Sequence, residues 1–147
     1  MQIIKRDITT IRPPGLVIHG VNCQGVMNSG VAKAIRNKWP RAYEAFKNIG
    51  PNKDMLGICH TVCISEDLFV GNCYTQEFYG REKKRYASPE AIEHALEAAY
   101  IFAEGFGIPL HSPMIGCGLG GLDWSEVGPI YEKVSSNYNV ETFIYTI

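Results

Sequence analysis

The chain has 147 residues, of which 46% are hydrophobic and 20% are charged. This balance is that of a folded globular protein and excludes an intrinsically disordered chain. The length predicts one domain that spans residues 1–147. The formal net charge of −1 excludes a general electrostatic attraction to nucleic acid or to an anionic membrane surface.

The cysteines indicate the redox environment and bear on metal binding. They are Cys23, Cys59, Cys63, Cys73 and Cys117. They form no CxxC pair and no Cys/His zinc spacing, so the sequence predicts no metal and no cofactor. Their odd number and the lack of a signal peptide predict free thiols in the cytoplasm. Cys59, Cys63 and Cys73 lie in apolar, strand-like runs and are expected to be small core residues. No apolar run approaches the roughly 20 residues that span a bilayer, so no membrane partner is expected.

The first half of the chain alternates strands and helices. Residues 1–10 predict an edge strand, and Leu16, Val17 and Ile18 begin a short, buried central strand. A helix is predicted from near Ser29; Pro40 interrupts it, and residues 43–49 continue as a second short helix. Residues 55–64 and 68–74 predict two strands joined by a tight turn.

The second half continues this pattern after a polar loop over residues 75–87. Ser88, Pro89 and Glu90 predict a helix start, and apolar residues then recur at helical spacing as far as residues 105–107. A strand over 108–115, a helix from Asp123 or Ser125 to about residue 136, and a strand over 140–147 follow. The alternation predicts an α/β fold of three layers, with helices on both faces of a mixed, mostly parallel central sheet.

Two glycine-containing runs each connect a predicted strand to a predicted helix. They are the first glycine run (residues 21–35, VNCQGVMNSGVAKAI) and the second glycine run (residues 115–124, IGCGLGGLDW). Small residues let backbone N–H groups approach a ligand, and a helix N-terminus favours negative charge. The two runs predict a site for a ligand with two phosphates. The alternative is that the glycines serve only tight strand-to-helix packing.

These runs, together with RDIT at residues 6–9, resemble the macro domain family, whose members bind ADP-ribose. The resemblance covers essentially the whole chain. Asn22 stands nine residues before Val31, as in the family. The second glycine run is similar to the branch that contains the terminal ADP-ribose glycohydrolase and the DarG antitoxins. The first glycine run is similar to that of small phage and bacterial proteins that process ADP-ribose 1″-phosphate.

The resemblance implies a role for each matching position. Asp7 would accept a hydrogen bond from the adenine amino group, with the Ile8 backbone beside it; the alternative is a turn-stabilising Asp. Asn22 would hydrogen-bond the distal ribose as donor and acceptor; the alternative is an Asn that closes a turn. Backbone N–H groups from two sets of residues would surround the two phosphates. The sets are Asn28, Ser29, Gly30 and Val31, and Gly116, Cys117, Gly118, Leu119 and Gly120.

The chain departs from the family pattern at three places. Asn28, Ser29 and Gly30 stand where many macro domains have three glycines. In the glycohydrolase branch a lysine nucleophile follows a Thr at the end of the fourth strand, and here that position is Gln76. The catalytic Asp of that branch is Gly120 in this chain. Because glutamine cannot form the lysine adduct, a covalent lysine mechanism is not expected.

Few ionisable groups remain near the predicted site. Asp123 would position or deprotonate a water, although it is equally placed to cap the last helix. His19 and His111 are candidate acids or bases, with a structural role as the alternative for each. Cys23 is a weaker candidate, because small residues are needed there for packing.

The polar loop supplies further candidates. Gln76 and Tyr79 would cover the distal ribose, and Arg81 would hold a terminal phosphate. The basic run (residues 81–85, REKKR) would collect a phosphorylated substrate. A solvated loop is the alternative for both. Tyr145 would flank adenine, unless it packs in the core.

These expectations combine into one functional hypothesis. The chain is expected to be a cytoplasmic monomer that binds ADP-ribose and hydrolyses ADP-ribose 1″-phosphate, with Asn22 and Asp123 as the catalytic residues. One alternative is a glycohydrolase that removes ADP-ribose from a protein or nucleic acid, using Lys83, Lys84 or a water. The other is a reader that binds ADP-ribose or an ADP-ribosylated macromolecule without turnover.

Overall fold

A computed structural model describes residues 1–80, 82 and 84–147 and contains a six-stranded mixed sheet. The strands are β1 (Gln2–Lys5), β2 (Gly15–Asn22), β3 (Cys59–Ser65), β4 (Leu68–Gln76), β5 (Leu110–Pro113) and β6 (Thr142–Thr146). Their order across the sheet is β1-β6-β5-β2-β4-β3. All neighbours are parallel except β3 and β4, which form an antiparallel pair. The predicted α/β fold with a mixed, mostly parallel sheet is confirmed.

Within the described residues, four helices connect the strands, and their ends follow the local signals in the sequence. They are α1 (Gly30–Lys38), α2 (Pro40–Ile49), α3 (Pro89–Phe106) and α4 (Trp124–Ser135). The Ser88 hydroxyl accepts a hydrogen bond from the Ala91 N–H at 3.2 Å, which confirms the predicted start of α3. Gly107 ends that helix with a φ of +65°, a conformation that glycine adopts without strain.

The helices form two layers that cover opposite faces of the sheet. Leu16 and Ile18 of β2 pack against α3 and α4, in a core that includes Leu96 and Tyr131. Val17, which points the opposite way, packs with residues of α1 and α2 such as Ile35 and Ala42. Because β2 carries apolar side chains on both faces, it is buried as the sequence predicted.

Four strand predictions were too long, those for β1, β3, β5 and β6, and polar capping explains the first two errors. β1 ends at Lys5 because Asp7 caps a 3-10 turn over Ile8–Thr10. β3 starts only at Cys59 because Asn52 caps a 3-10 turn over Lys53–Met55. β5 covers only Leu110–Pro113 of the predicted 108–115.

The cysteines differ from the expectation at one position. All five are free thiols. Cys73 is buried and Cys59 is half-buried, but Cys63 is exposed. The prediction that Cys63 is a core residue was wrong, because it lies on the edge strand β3, where its thiol contacts the Ser65 carbonyl at 3.2 Å. Among the helices of the described residues, none has the length and apolar character to cross a membrane.

Candidate functional site: a cleft between two glycine runs

A cleft of about 890 Å³ opens at the carboxyl ends of the central strands. The chain leaves β2 toward α1 on one face of the sheet and leaves β5 toward α4 on the other. Because the two connections diverge, they leave a crevice between them, as at the ligand sites of other open α/β sheets. Its volume lies within the range of about 300–1,000 Å³ typical of small-molecule sites.

Most of the predicted binding residues line this cleft. Those that do are Asn22, Asn28, Ser29, Gly30, Val31, Gln76, Gly116, Gly118, Leu119 and Gly120. Asp7, Ile8, Cys117 and Asp123 are outside the lining. The first and second glycine runs therefore face one common space, while the predicted adenine contact and the predicted catalytic carboxylate lie apart from it.

Asn22 organises the start of the first glycine run. Its side-chain oxygen accepts hydrogen bonds from the N–H groups of Gln24 (3.0 Å) and Val26 (3.2 Å). Its amide nitrogen donates to the Val26 carbonyl at 2.7 Å. Both lone pairs of the Asn22 side-chain oxygen and one of the two N–H groups of its amide nitrogen are thus used within the loop. Asn22 closes a turn, as in the alternative interpretation, and keeps one N–H with which to meet a ligand.

The N-terminus of α1 opens into the cleft without a side-chain cap. Ser29 occupies the N-cap position, but its side chain makes no capping hydrogen bond. Gly30 has a φ of +62°, and no atom lies within 4 Å of where its Cβ would be. The first N–H groups of a helix lack intrahelical partners, so they are available to an anion here.

In the second glycine run, most glycines are required by the fold and one is not. Gly116 has a φ of +81°, and a Cβ at Gly120 would lie 2.7 Å from the Gly116 carbonyl oxygen. Gly121 has a φ of +82° and lies directly against the Lys84 carbonyl. In contrast, nothing lies within 4 Å of a Cβ placed at Gly118. Tight packing therefore explains Gly116, Gly120 and Gly121, and it does not explain Gly118.

Two side-chain amides form hydrogen bonds with the backbone of the loop after β4. Gln76 donates to the Phe78 carbonyl at 2.7 Å, and Gln24 accepts a hydrogen bond from the Tyr79 N–H at 3.0 Å. Gln76 and Tyr79 both line the cleft, and Tyr79 is 53% exposed. The sequence indicated Gln76 and Tyr79 but gave no sign of Gln24, whose partner is 55 residues away.

The basic run contributes no group to the cleft lining among its described residues. Lys84 lies 3.5 Å from Glu82 and over the ring of Tyr86. Arg85 forms a bidentate pair with Glu126, at 2.9 and 2.7 Å. The expectations for Arg81 and Lys83 concern positions outside the described residues.

The described lining of the cleft contains no Asp, Glu, His, Lys or Arg side chain. Asp123 is the N-cap residue of α4, yet its carboxylate makes no capping hydrogen bond. Burial, followed by the negative charges of Asp123 and Glu126, raises the pKa of Cys117 to about 11. Asp123 thus lies near the end of the second glycine run but outside the cleft lining, and its catalytic role stays a prediction.

Both candidate histidines are structural. His19 is buried and pairs with the Asn72 side chain at 2.6 Å. His111 is buried and pairs with the Tyr145 hydroxyl at 2.6 Å, which places Tyr145 in the core. Burial lowers the pKa of each imidazole to about 4, so both are neutral near pH 7. Neither lines the cleft.

Asp7 is held at the end of the first strand by its local turn. Its carboxylate accepts hydrogen bonds from the N–H (2.9 Å) and hydroxyl (2.8 Å) of Thr9, which lower its pKa. Ile8 is buried in the core beside α1. Asp7 is thus the turn-stabilising residue of the alternative interpretation, and its adenine contact stays a prediction.

Solved structures share this architecture over nearly the whole chain. A protein of unknown function from Bacteroides thetaiotaomicron is 24% identical, with a TM-score of 0.89 and coverage of 99% of this chain and 97% of that one. A macrodomain protein from Streptomyces coelicolor is 22% identical, with a TM-score of 0.82 over 99% of this chain and 98% of that one. This chain has the macrodomain fold.

Two further matches carry descriptions that mention ADP-ribose. The structure of Thermosipho africanus DarTG in complex with ADP-ribose matches this chain with a TM-score of 0.78 and 26% identity, over 97% of this chain and 40% of that one. A Thermosipho africanus protein, described as a fusion of a DNA ADP-ribosyl transferase and a DNA ADP-ribosyl glycohydrolase, is 25% identical over 161 residues. The match covers 99% of this chain but only 41% of that relative. No family model matches the sequence.

The two helical layers of the chain carry opposite charge. The helices α1 and α2 contain five cations, Lys33, Arg36, Lys38, Arg41 and Lys47, against one carboxylate, Glu44. The helix α3 contains four glutamates and no Lys or Arg. Since α1 begins at the cleft, the positive layer borders the side formed by the first glycine run. The small net charge hides this asymmetry, which favours an anionic ligand at that side.

Proposed function

We propose that this macrodomain binds ADP-ribose in the cleft, with the pyrophosphate between the two glycine runs. The observation that carries the proposal is the chemistry of the lining: an uncapped helix N-terminus and a glycine-rich loop face one space, and no carboxylate lies among the described lining residues. Backbone N–H groups suit phosphate oxygens, and the nearby positive layer adds to the attraction. The ADP-ribose complex of the Thermosipho africanus protein supports the choice of ligand.

We further propose that the bound substrate is ADP-ribose 1″-phosphate and that water hydrolyses its phosphate monoester. A water oxygen forms the new bond to phosphorus, and the bond between phosphorus and the ribose 1″-oxygen breaks. The water proton passes to a base, which returns it to the leaving oxygen, so that the products are ADP-ribose, with a 1″-hydroxyl, and phosphate. Such reactions depend mainly on positioning and on stabilising charge, which the backbone N–H groups of the runs can provide. Asp123 is the proposed base: its carboxylate is not engaged in capping α4, and although it lies outside the cleft lining it follows Gly120, which lines the cleft, by three residues.

The second candidate is a glycohydrolase that releases ADP-ribose from a macromolecule. The description of the Thermosipho africanus relative favours it. Gln76 argues against its covalent lysine form, since this amide lines the cleft and donates to the Phe78 carbonyl. Lys84 is also outside the lining and lies against Glu82 and Tyr86. Lys83 lies outside the described residues; among those that are described, no lysine lines the cleft, and a glycohydrolase that relied on them would use water.

Three measurements on the purified chain separate these functions. Calorimetry with ADP-ribose tests binding, and a lack of detectable heat at millimolar ligand would refute both enzymatic proposals and the reader. Phosphate release from ADP-ribose 1″-phosphate supports the phosphatase. Release of ADP-ribose from modified DNA or protein, without phosphate release, supports the glycohydrolase. Binding without either product identifies a reader.

A matched pair of variants tests the proposed base. Asp123→Asn removes the carboxylate of the second glycine run, and phosphate release should fall about 100-fold or more while ADP-ribose still binds. Asp67→Asn makes the same change in the turn before β4, at the opposite end of the sheet, and should leave the rate unchanged. Equal rates for the two variants would remove Asp123 from the mechanism.

A further inference from the structure

The first glycine run carries a side chain where the family resemblance expects a glycine. Asn28 lines the cleft, and its backbone has a negative φ, so a side chain is accommodated there without strain. Of the three positions 28–30, only Gly30 has the positive φ that favours glycine. The loop can therefore use the Asn28 side chain as well as its backbone.

The Asn28 side chain has one defined orientation. Its oxygen accepts a hydrogen bond from the Arg36 guanidinium at 2.8 Å. A guanidinium only donates, so the amide oxygen, and not the nitrogen, must face Arg36. The two N–H groups of the amide are left for other acceptors, and the described part of the chain offers them none. A phosphate oxygen in the cleft is an acceptor of the required kind.

Arg36 is itself held in place. Its guanidinium carbon lies 3.8 Å from the centre of the Tyr43 ring, so α2 supports a side chain of α1 by a cation–π contact. No carboxylate among the described residues forms a salt bridge with it. Its positive charge thus stays uncompensated, one side chain away from the cleft.

We infer that Asn28 binds a ligand phosphate through its side-chain amide, and that Arg36, supported by Tyr43, is the positioning residue that orients this amide. This inference rests on the proposed ADP-ribose binding. A cation that donates to the amide oxygen polarises the amide and strengthens the hydrogen bonds that its N–H groups donate. The contact replaces the close backbone approach that a glycine would give at position 28.

Calorimetry with ADP-ribose on four variants tests the inference. Asn28→Ala and Arg36→Met should each weaken binding about tenfold, and the double variant should bind no more weakly than either single one, because Arg36 acts through Asn28. Arg41→Met is the matched control: it removes one charge from the same layer, but Arg41 contacts the Cys63 and Ile64 carbonyls at 3.2 and 3.3 Å, at the other end of the sheet. It should bind like the parent chain.

A spectroscopic measurement separates a direct contact from a general effect on folding. In ¹H–¹⁵N spectra, the side-chain amide signals that disappear in Asn28→Ala belong to Asn28. They should shift on addition of ADP-ribose to the parent chain, and the shift should shrink in Arg36→Met. Unshifted signals, additive losses in the double variant or an equal loss in Arg41→Met would overturn the inference. If the parent chain itself does not bind ADP-ribose, the proposed function fails instead.

Discussion

Gly118→Glu tests whether the second glycine run faces a phosphate. No atom lies within 4 Å of the new Cβ, and the backbone there lacks the positive φ that disfavours other residues. The variant should therefore fold with an unchanged melting temperature. A carboxylate about 5 Å from a phosphate charge, at an effective dielectric constant of about 20, costs roughly 3 kcal/mol. This corresponds to about a 200-fold loss in the calorimetric affinity for ADP-ribose.

Gly118→Gln is the control, because it adds nearly the same volume without the charge. It should bind more tightly than Gly118→Glu, and the difference should shrink as salt is added, since mobile ions screen the repulsion. Equal affinities for the Glu and Gln variants would refute the electrostatic reasoning. Parent-like affinity for both would mean that position 118 does not face the ligand.

Two further predictions concern the first glycine run and the buried histidines. Asn22→Ala should reduce turnover at least tenfold more than Cys23→Ala, because Asn22 makes three hydrogen bonds within the loop whereas Cys23 is buried against core side chains. The rates of phosphate release by the two variants test this prediction. Equal rates would contradict the role of the Asn22 amide. Urea unfolding should show lower stability at acid pH, because the pKa of His19 is about 4 when folded and near 6.5 when unfolded. The unfolded chain binds the proton more tightly, so stability falls as the pH drops from about 6.5 to 4, by about 2 kcal/mol at pH 5 from this residue. His19→Gln should reduce that dependence, and an unchanged pH profile would contradict the assignment.

Much of the fold could be predicted because its signals are local. Ser88 and Pro89 mark a helix start by their own capping chemistry. Pro40 was predicted to separate two helices, and the second of these begins at Pro40 itself and not at residue 43, because the missing N–H of proline is not needed at the first helical position. The strand ends were harder to predict. Asp7 and Asn52 each cap a short 3-10 turn, which ends or delays a strand that the apolar pattern alone would extend.

The residues of the candidate site likewise differ in whether the sequence could reveal them. The glycine runs could be found from their small residues between a strand and a helix, and Asn22 and Gln76 from the positions that the family resemblance matches. The partners of the cleft residues could not, because Gln24 with Tyr79 and Arg36 with Tyr43 meet only through tertiary contacts. Nor could the sequence distinguish a catalytic histidine from a buried one, since that depends on what surrounds the side chain. His19 meets Asn72 from a neighbouring strand.

Local chemistry in the chain thus defined the strand–helix alternation and the two glycine runs, because turns, caps and apolar periodicity involve residues close in sequence. The tertiary structure showed which glycines are needed for packing and that Gly118 is open to the cleft. It also separated the cleft lining from Asp123 and the histidines. Those outcomes depend on distances between residues far apart in the chain, which hydrophobic pattern and spacing do not specify.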